Sequence, residues 1–124
     1  IRLSLVGSEM CIRDSYIGTH IILDMTGADF LLLDEMDAFV RWMEGTLWDY
    51  ECDVLGVQKH KFDPQGFTAV FMLAESHFSI HTWPERGIAA CDIFTCGNVD
   101  THAISQEVVK WFKPVNFNLK KLTR

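Results

Sequence analysis

The sequence lacks the features that mark several large classes of protein. Lys and Arg together number 11 against 17 Asp and Glu, which gives a formal net charge of −6. A basic surface that could follow a phosphate backbone is missing, so we do not expect a nucleic-acid partner. No apolar run approaches the roughly 20 residues that cross a bilayer, and the first residues do not resemble a secretory signal. These absences predict a cytosolic protein without membrane association.

Cysteine is also scarce, and its spacing does not indicate a metal site. The cysteines are Cys11, Cys52, Cys91 and Cys96, and no two of them have CxxC spacing. If Cys11 is set aside with the N-terminal segment described next, an odd number remains. An odd number without a secretory signal argues against a disulfide framework.

The first fifteen residues, IRLSLVGSEMCIRDS, show neither helical nor strand periodicity. They resemble a translated sequencing adaptor, so we predict a non-native segment at 1–15 and a single domain at 16–124. A weakly ordered native arm is the alternative. The whole chain has 124 residues, of which 48% are hydrophobic, and this suits one globular domain with one core.

Hydrophobic patterning predicts several strands and two helices. The predicted helix at 32–50 is supported by apolar residues at the spacing of one helical face, namely Met36, Phe39, Val40, Met43 and Leu47. The other predicted helix covers 101–112, and the predicted strands cover 18–24, 53–61, 66–75, 77–83, 88–96 and 116–124. This order predicts an α+β fold, a two-layer sandwich in which an antiparallel sheet carries two helices on one face.

The stretch AESHFSIHTWPERG at 74–87 concentrates reactive side chains in a segment that alternates like a strand. On a strand, His77 and His81 would lie roughly 13 Å apart, too far to share an ion, so we predict no metal site. A serine hydrolase is disfavoured because no GxSxG motif is present. The structural alternative is that Ser76 and Thr82 are ordinary strand hydroxyls, that His81 is a core histidine and that Cys96 is a small buried side chain.

Three segments closely resemble the short bacterial S-adenosylmethionine decarboxylases. They are HKFDPQGFTAV at 60–70, LAESHFSIHTWPERG at 73–87 and CDIFTCG at 91–97, and GTHIILD at 18–24 is similar to the opening strand of that family. The resemblance implies a chain that cuts itself into a β chain ending at Glu75 and an α chain beginning at Ser76. It further implies that Ser76 becomes an amino-terminal pyruvoyl group, the only cofactor expected.

The chemistry implied by the resemblance explains the residue types. The Ser76 hydroxyl attacks the preceding carbonyl and forms an ester, β-elimination follows, and hydrolysis leaves ammonia and the pyruvoyl group. The pyruvoyl ketone then forms a Schiff base with the substrate amine and accepts the electron pair released with CO₂. The resemblance assigns His81 as acid/base in processing, Thr68 as a processing hydroxyl in a place often taken by Ser, and Cys96 as the proton donor. A thiol with an unperturbed pKa near 8.5 is mostly protonated at neutral pH.

The resemblance also assigns substrate-binding residues. Phe62 and Trp83 belong to the adenine environment, and Glu85 binds the ribose hydroxyls. Aromatic faces additionally attract a sulfonium cation by roughly 0.5–2 kcal/mol. Core packing of the two rings and a solvated Glu85 are the alternatives.

The expected function is conversion of S-adenosylmethionine into the aminopropyl donor for spermidine synthesis. Residues five apart on a strand lie about 16 Å apart on opposite faces, so one chain does not bring Ser76 to His81. The homodimer implied by the resemblance would do so, by joining Ser76 and Cys96 of one protomer to Phe62, Thr68, His81 and Glu85 of the other. Two alternatives stay open: a pyruvoyl-dependent decarboxylase of ornithine or arginine, and a non-catalytic binding or regulatory relative.

Overall fold

The computed structural model describes residues 17–124, so the predicted non-native segment at 1–15 lies outside the described residues. The elements in chain order are β1 (Thr19–Thr26), α1 (Phe30–Asp34), α2 (Met36–Asp49), β2 (Val54–Lys61), β3 (Phe67–Leu73), β4 (Ser76–Trp83), a 3₁₀ turn (Pro84–Arg86), β5 (Ile88–Thr95), α3 (Thr101–Phe112) and β6 (Asn116–Thr123).

The strands form one antiparallel sheet in the order β2-β3-β4-β5-β1-β6. Three successive hairpins build β2 to β5, and β1 then pairs with β5 on one side and with β6 on the other. The hairpin between β2 and β3 uses the predicted DPQG turn, in which Gly66 has φ +94°, a value that glycine adopts without steric cost. The predicted α+β class and the antiparallel sheet are confirmed.

The two faces of the sheet differ in burial because side chains alternate along each strand. On the helix-covered face, Ile80 and Cys91 pair across β4 and β5 and are both buried. The core is closed by α2 and α3, where the rings of Phe39 and Phe112 stack with centroids 5.2 Å apart. The opposite face, which we call the open face, is not covered by a helix within residues 17–124.

The predicted helix at 32–50 is wrong in one respect, because the structure divides it into α1 and α2 and the described residues thus contain three helices. Glu35 breaks the helix with φ −90° and ψ 78°. The preceding Asp34 accepts a hydrogen bond from Gly66 N at 2.8 Å and forms an ion pair with Lys61 at 2.8 Å. These partners lie on the β2–β3 hairpin, so a tertiary contact outweighs the local helical pattern. The predicted apolar face is otherwise confirmed, since Phe39, Val40, Met43 and Leu47 are buried.

Asp34 provides a first testable prediction. The hydrogen bond from Lys61, followed by that from Gly66, lowers the pKa of Asp34 below its usual 3.8. Because a carboxylate with a depressed pKa stabilises the fold above its unfolded pKa, Asp34→Asn should lower the free energy of unfolding by about 1 kcal/mol at pH 7. The deficit should shrink as the pH falls below 3.8, where the parent also loses the charge. Urea unfolding at several pH values measures this difference.

The matched control is Asp37→Asn, which removes a carboxylate paired with Lys59 where both side chains are largely exposed. An exposed ion pair contributes little to stability, so this variant should unfold close to the parent. Equal destabilisation by the two substitutions would contradict an anchoring role for Asp34.

Candidate active site

The turn between β3 and β4 holds the bond at which cleavage is predicted. Leu73 pairs with Ser76, so Ala74 and Glu75 alone make the connection. Glu75 has φ +64°, in the left-handed region that costs a residue with a Cβ roughly 1–2 kcal/mol. Ala74 N donates to Asp53 O at 3.0 Å and anchors the turn to the chain before β2. The predicted scissile bond therefore follows a strained residue in a tightly held turn.

Cys96 lies beside this turn. It follows β5, and its Sγ is 3.7 Å from the Glu75 carbonyl oxygen and 3.8 Å from Glu75 Oε2. The structure holds Cys96 in a disulfide, so the expectation that the cysteines form no disulfide is wrong for this residue. The structure thus brings Glu75, Ser76 and Cys96 together at one end of β4, and we call these three residues the cleavage group.

Cys91 is not part of this group. It is buried on the helix-covered face, and burial, followed by the charges of Asp24 and Asp92, raises the pKa of its thiol well above the usual range. Cys91 therefore has neither the position nor the acidity of a proton donor for this site.

A second set of predicted residues gathers at the other end of β4. Thr68 and His81 pair across β3 and β4, and Thr68 Oγ1 lies 2.9 Å from His81 Nδ1. This hydrogen bond engages Nδ1 and leaves Nε2 for another partner. The ring of Trp83 is 6.4 Å from that of His81. We call Phe62, Thr68, His81, Trp83 and Glu85 the His81 group.

Phe62 and Glu85 complete this group from two loops. Phe62 begins the β2–β3 turn, where its N–H donates to Gly66 O at 2.8 Å. Glu85 lies in the 3₁₀ turn, and its Oε1 accepts from Gln65 Nε2 at 3.3 Å. Gln65 therefore links the turn that carries Phe62 to the turn that carries Glu85.

The two groups do not meet within one chain. β4 is a continuous strand from Ser76 to Trp83, so Ser76 and His81 are separated by about 16 Å of extended backbone. Alternation places them on opposite faces, because Phe78 and Ile80 share the parity of Ser76 and are buried. The geometric expectation that one chain keeps these residues apart is confirmed.

Burial decides among the alternatives left open by the sequence. His81 is exposed, so the interpretation as a core histidine is wrong. Phe62 and Trp83 keep 46% and 39% of their surface, which contradicts core packing of their rings. Thr82 does act structurally, since its Oγ1 is buried and accepts from Phe67 N at 2.9 Å. Glu85 is exposed, so its solvated role stays an alternative.

The open face also carries a polar cluster that the sequence did not reveal. His20 Nε2 and His77 Nε2 lie 2.8 and 3.0 Å from Asp92 Oδ2, and Ser79 Oγ donates to Asp92 Oδ1. Burial alone would raise the pKa of Asp92, but the hydrogen bonds from Ser79, His77 and His20 together lower it. Only the register of β1 and β4 against β5 brings these residues together, so the sequence spacing carried no signal of them.

The described part of the chain has no helix with the length and hydrophobicity needed to span a membrane.

The S-adenosylmethionine decarboxylase family model matches residues 19–124. An S-adenosylmethionine decarboxylase proenzyme of Methanococcus maripaludis is 39% identical over 109 residues, covering 87% of this chain and 89% of that protein. A proenzyme 2 of the same name from Bacillus cereus is 43% identical over 112 residues, covering 89% and 90%.

Two solved structures are also similar. The adenosylmethionine decarboxylase from Aquifex aeolicus superimposes with a TM-score of 0.81 at 29% identity, covering 88% of this chain and 91% of that one. The Trypanosoma brucei AdoMetDC-delta26 monomer gives a TM-score of 0.63 at 16% identity, covering 82% of this chain and 44% of that one, which supports the fold alone.

Proposed function

Because the chain belongs to the S-adenosylmethionine decarboxylase family, we propose that it is a self-cleaving proenzyme whose mature form uses a pyruvoyl group made from Ser76. The enzyme converts S-adenosylmethionine into CO₂ and decarboxylated S-adenosylmethionine, the aminopropyl donor for spermidine. The observation that carries the proposal of self-cleavage is Glu75, held in a left-handed conformation immediately before Ser76 and next to the sulfur of Cys96. We also infer that the domain covers 16–124, since the family match begins at Thr19.

Self-cleavage begins with the Ser76 hydroxyl. Its oxygen attacks the carbonyl carbon of Glu75, the C–N bond breaks, and the acyl group of Glu75 becomes an ester on the Ser76 side chain. Removal of the Ser76 α-proton then expels the Glu75 carboxylate, and water releases ammonia from the remaining residue. The carboxylate of an ester leaves far more readily than an amide nitrogen, which is why the chemistry needs a hydroxyl residue here. The tight turn supports this step because breaking the peptide bond releases the strain at Glu75.

His81 supplies the proton transfers of processing. An imidazole can serve both as the acceptor and as the donor of a proton in catalysis. The hydrogen bond between Thr68 and His81 Nδ1 holds the ring and leaves Nε2 available for the reacting groups of the partner chain in the proposed dimer. Thr68 keeps the hydroxyl that this position requires.

Cys96 is assigned as the proton donor of the decarboxylation. A pyruvoyl group at position 76 supplies a ketone that binds the substrate amine and takes up the electrons released with CO₂. The residues fit such a group, because Ser76 begins a strand at the end of the sheet and the Cys96 sulfur lies at the same end. Cys96 is held in a disulfide in the structure, so it would protonate the former α-carbon of the substrate as the reduced thiol.

Phe62, Trp83 and Glu85 form the proposed nucleoside pocket. The two exposed rings offer faces for stacking of adenine and for attraction of the sulfonium charge. The Glu85 carboxylate accepts hydrogen bonds from the ribose hydroxyls. Lys61, paired with Asp34, donates to the Phe62 carbonyl at 3.3 Å and helps to hold this turn in place.

A homodimer completes the proposal by bringing the two groups together. The cleavage group and the His81 group occupy opposite ends of β4, and a two-fold axis on the open face would place one end against the other end of the partner's strand. Exposed apolar side chains on the open face support burial against a second sheet, since Val70 and Met72 keep 40% and 57% of their surface. Each dimer would contain two composite sites.

Substrate choice is tested by release of CO₂ from carboxyl-labelled S-adenosylmethionine, ornithine and arginine. The exposed aromatic pair favours the nucleoside, so S-adenosylmethionine should be the preferred substrate by a large factor. Faster release from either amino acid would overturn the assignment. A binding or regulatory role would instead be indicated by a chain that stays uncut and releases CO₂ from none of the three.

Strain at Glu75 leads to a second testable prediction, which compares Glu75→Ala with Glu75→Gly. Both substitutions remove the carboxylate, but only glycine adopts the left-handed conformation without steric cost. Since the strain is released as the peptide bond breaks, the alanine variant should cleave itself roughly tenfold faster than the glycine variant, from a difference of about 1–2 kcal/mol. The rate is followed as the uncut chain converts to two fragments on denaturing gels.

A second measurement tests whether the difference in cleavage rate comes from strain at Glu75 or from the added backbone flexibility of glycine. With Ser76→Ala added to prevent cleavage, the chain carrying Glu75→Gly should melt at a higher temperature than the chain carrying Glu75→Ala. Equal melting temperatures together with equal cleavage rates would show that the Glu75 conformation stores no usable strain.

A further inference from the structure

The polar cluster on the open face is built from three neighbouring strands. His20 comes from β1, His77 and Ser79 from β4, and Asp92 from β5. One ligand atom of each of His20, His77 and Asp92 lies within 4.8 Å of the others. Within one chain the side chains of His20, Asp92 and His77 keep 19%, 27% and 42% of their surface, so the cluster is partly shielded, and the proposed dimer would enclose it between the two sheets.

The backbone register imposes this arrangement. Phe94 pairs with His20 on one side and with His77 on the other, so the two imidazoles flank the same residue of β5. Asp92 lies two residues earlier on β5 and therefore points to the same face, between the two rings. Because the hydrogen-bonded pairing of the antiparallel strands fixes these positions, the backbone preorganises the cluster.

We propose that His20, His77 and Asp92 bind one divalent transition-metal ion such as zinc. Two imidazole nitrogens and one carboxylate oxygen form a common donor set for such ions, with a further position left for water or another ligand. Ligand distances of about 2.0–2.2 Å would place the donor atoms about 3.4 Å apart. The present nitrogen–oxygen separations of 2.8 and 3.0 Å need to open by only about half an ångström.

The surroundings of the cluster fit the same assignment. Ser79 donates to Asp92 Oδ1, which orients the carboxylate so that Oδ2 faces both imidazoles. The Phe94 ring lies 5.8 Å from the His20 ring and 6.2 Å from the His77 ring, so one side of the site is apolar. Imidazole donors favour zinc, cobalt or nickel over magnesium and calcium, which prefer oxygen ligands.

This site is separate from the residues assigned to catalysis. The metal site does not depend on self-cleavage. His77 is the residue that follows Ser76 in the sequence, so a bound ion would also hold the first residues of the α chain in place. The experiment therefore uses the full chain carrying Ser76→Ala, which does not cut itself under the proposed mechanism. A failure of metal binding in this chain leaves the decarboxylase proposal untouched, and the reverse also holds.

The test is titration of this chain with Co²⁺, followed by visible absorption, and with Zn²⁺, followed by calorimetry. We expect one ion per chain and the intense visible bands of four- or five-coordinate cobalt. Adding His20→Gln or Asp92→Asn should abolish those bands, while Ser79→Ala should weaken binding by about 10- to 100-fold, as outer-shell partners do. The matched control is His102→Gln, an exposed histidine on α3 whose loss should change nothing.

Three results would overturn the proposal. They are the absence of stoichiometric binding, binding that survives both His20→Gln and Asp92→Asn, and a thiolate-to-cobalt charge-transfer band that places the ion on a cysteine. Circular dichroism checks that each variant is folded. If Asp92→Asn does not fold, His20→Gln and Ser79→Ala decide the question, since both leave the carboxylate in place.

Discussion

Replacing Ser76 with alanine is expected to leave the chain in one piece and to abolish release of CO₂ from S-adenosylmethionine. Without the hydroxyl, no group at position 76 can attack the Glu75 carbonyl, and the strained turn alone does not hydrolyse an amide. No ketone then forms to capture the substrate amine. Intact-mass measurement should show two fragments, 1–75 and 76–124, for the parent and a single chain for the variant. The later parent fragment should resist amino-terminal sequencing.

The control for this experiment is Ser105→Ala. Ser105 lies on α3, where its hydroxyl donates to His102 O, on the side of the sheet away from the open face. This variant should cut itself and release CO₂ at close to the parent rate. A parent chain that decarboxylates its substrate while remaining uncut, or a Ser76→Ala chain that is still cut at the same bond, would refute the proposed origin of the cofactor.

Local patterns in the sequence predicted much of the fold because they reflect nearest-neighbour geometry. The apolar face of α2 follows from helical spacing, and the hairpins follow from alternating strands joined by turn residues. The break at Glu35 could not be predicted in this way. It accompanies the bonds of Asp34 to Lys61 and Gly66, which lie 27 and 32 residues further along the chain.

The candidate site shows the same division between local and distant information. The resemblance predicted the residues of both groups, and the period of a strand was enough to separate Ser76 from His81. Neither the resemblance nor the strand period revealed the left-handed conformation of Glu75, because glutamate is not a residue type that indicates a positive φ. Nor did it reveal the bond between His20 and Asp92, which are 72 residues apart and meet only through the pairing of β1 with β5.

The separation of the two groups has a chemical consequence. In the proposed mechanism the cleavage group contains the atoms that react, and the His81 group contains the imidazole and the nucleoside pocket. Neither group can carry out the reaction alone, so an isolated protomer should be inactive. Under this proposal the pyruvoyl ketone would form only after two chains have assembled, because His81 of the partner chain is needed for processing.

Hybrid dimers test this arrangement directly. Ser76→Ala alone should be inactive, and His81→Ala alone should process itself about 10²- to 10⁴-fold more slowly. When the two are co-expressed, each mixed dimer contains one intact composite site, made from Ser76 of one chain and His81 of the other. Random pairing makes about half of the dimers mixed, so the sample should recover about a quarter of the parent activity. Cleavage should occur only in the chain that carries His81→Ala.

The matched control pairs Ser76→Ala with Cys96→Ala, two substitutions within the cleavage group. A mixed dimer of these chains contains one site without Ser76 and one without Cys96, so it should stay far below the activity of the first hybrid. If sites were instead complete within each chain, neither mixture would recover activity, and the composite arrangement would be wrong. Recovery in both mixtures would be equally damaging, because it would mean that Ser76 and Cys96 act in different sites. The contrast between the two pairs thus reports which residues share a protomer at each site, independently of the absolute rates.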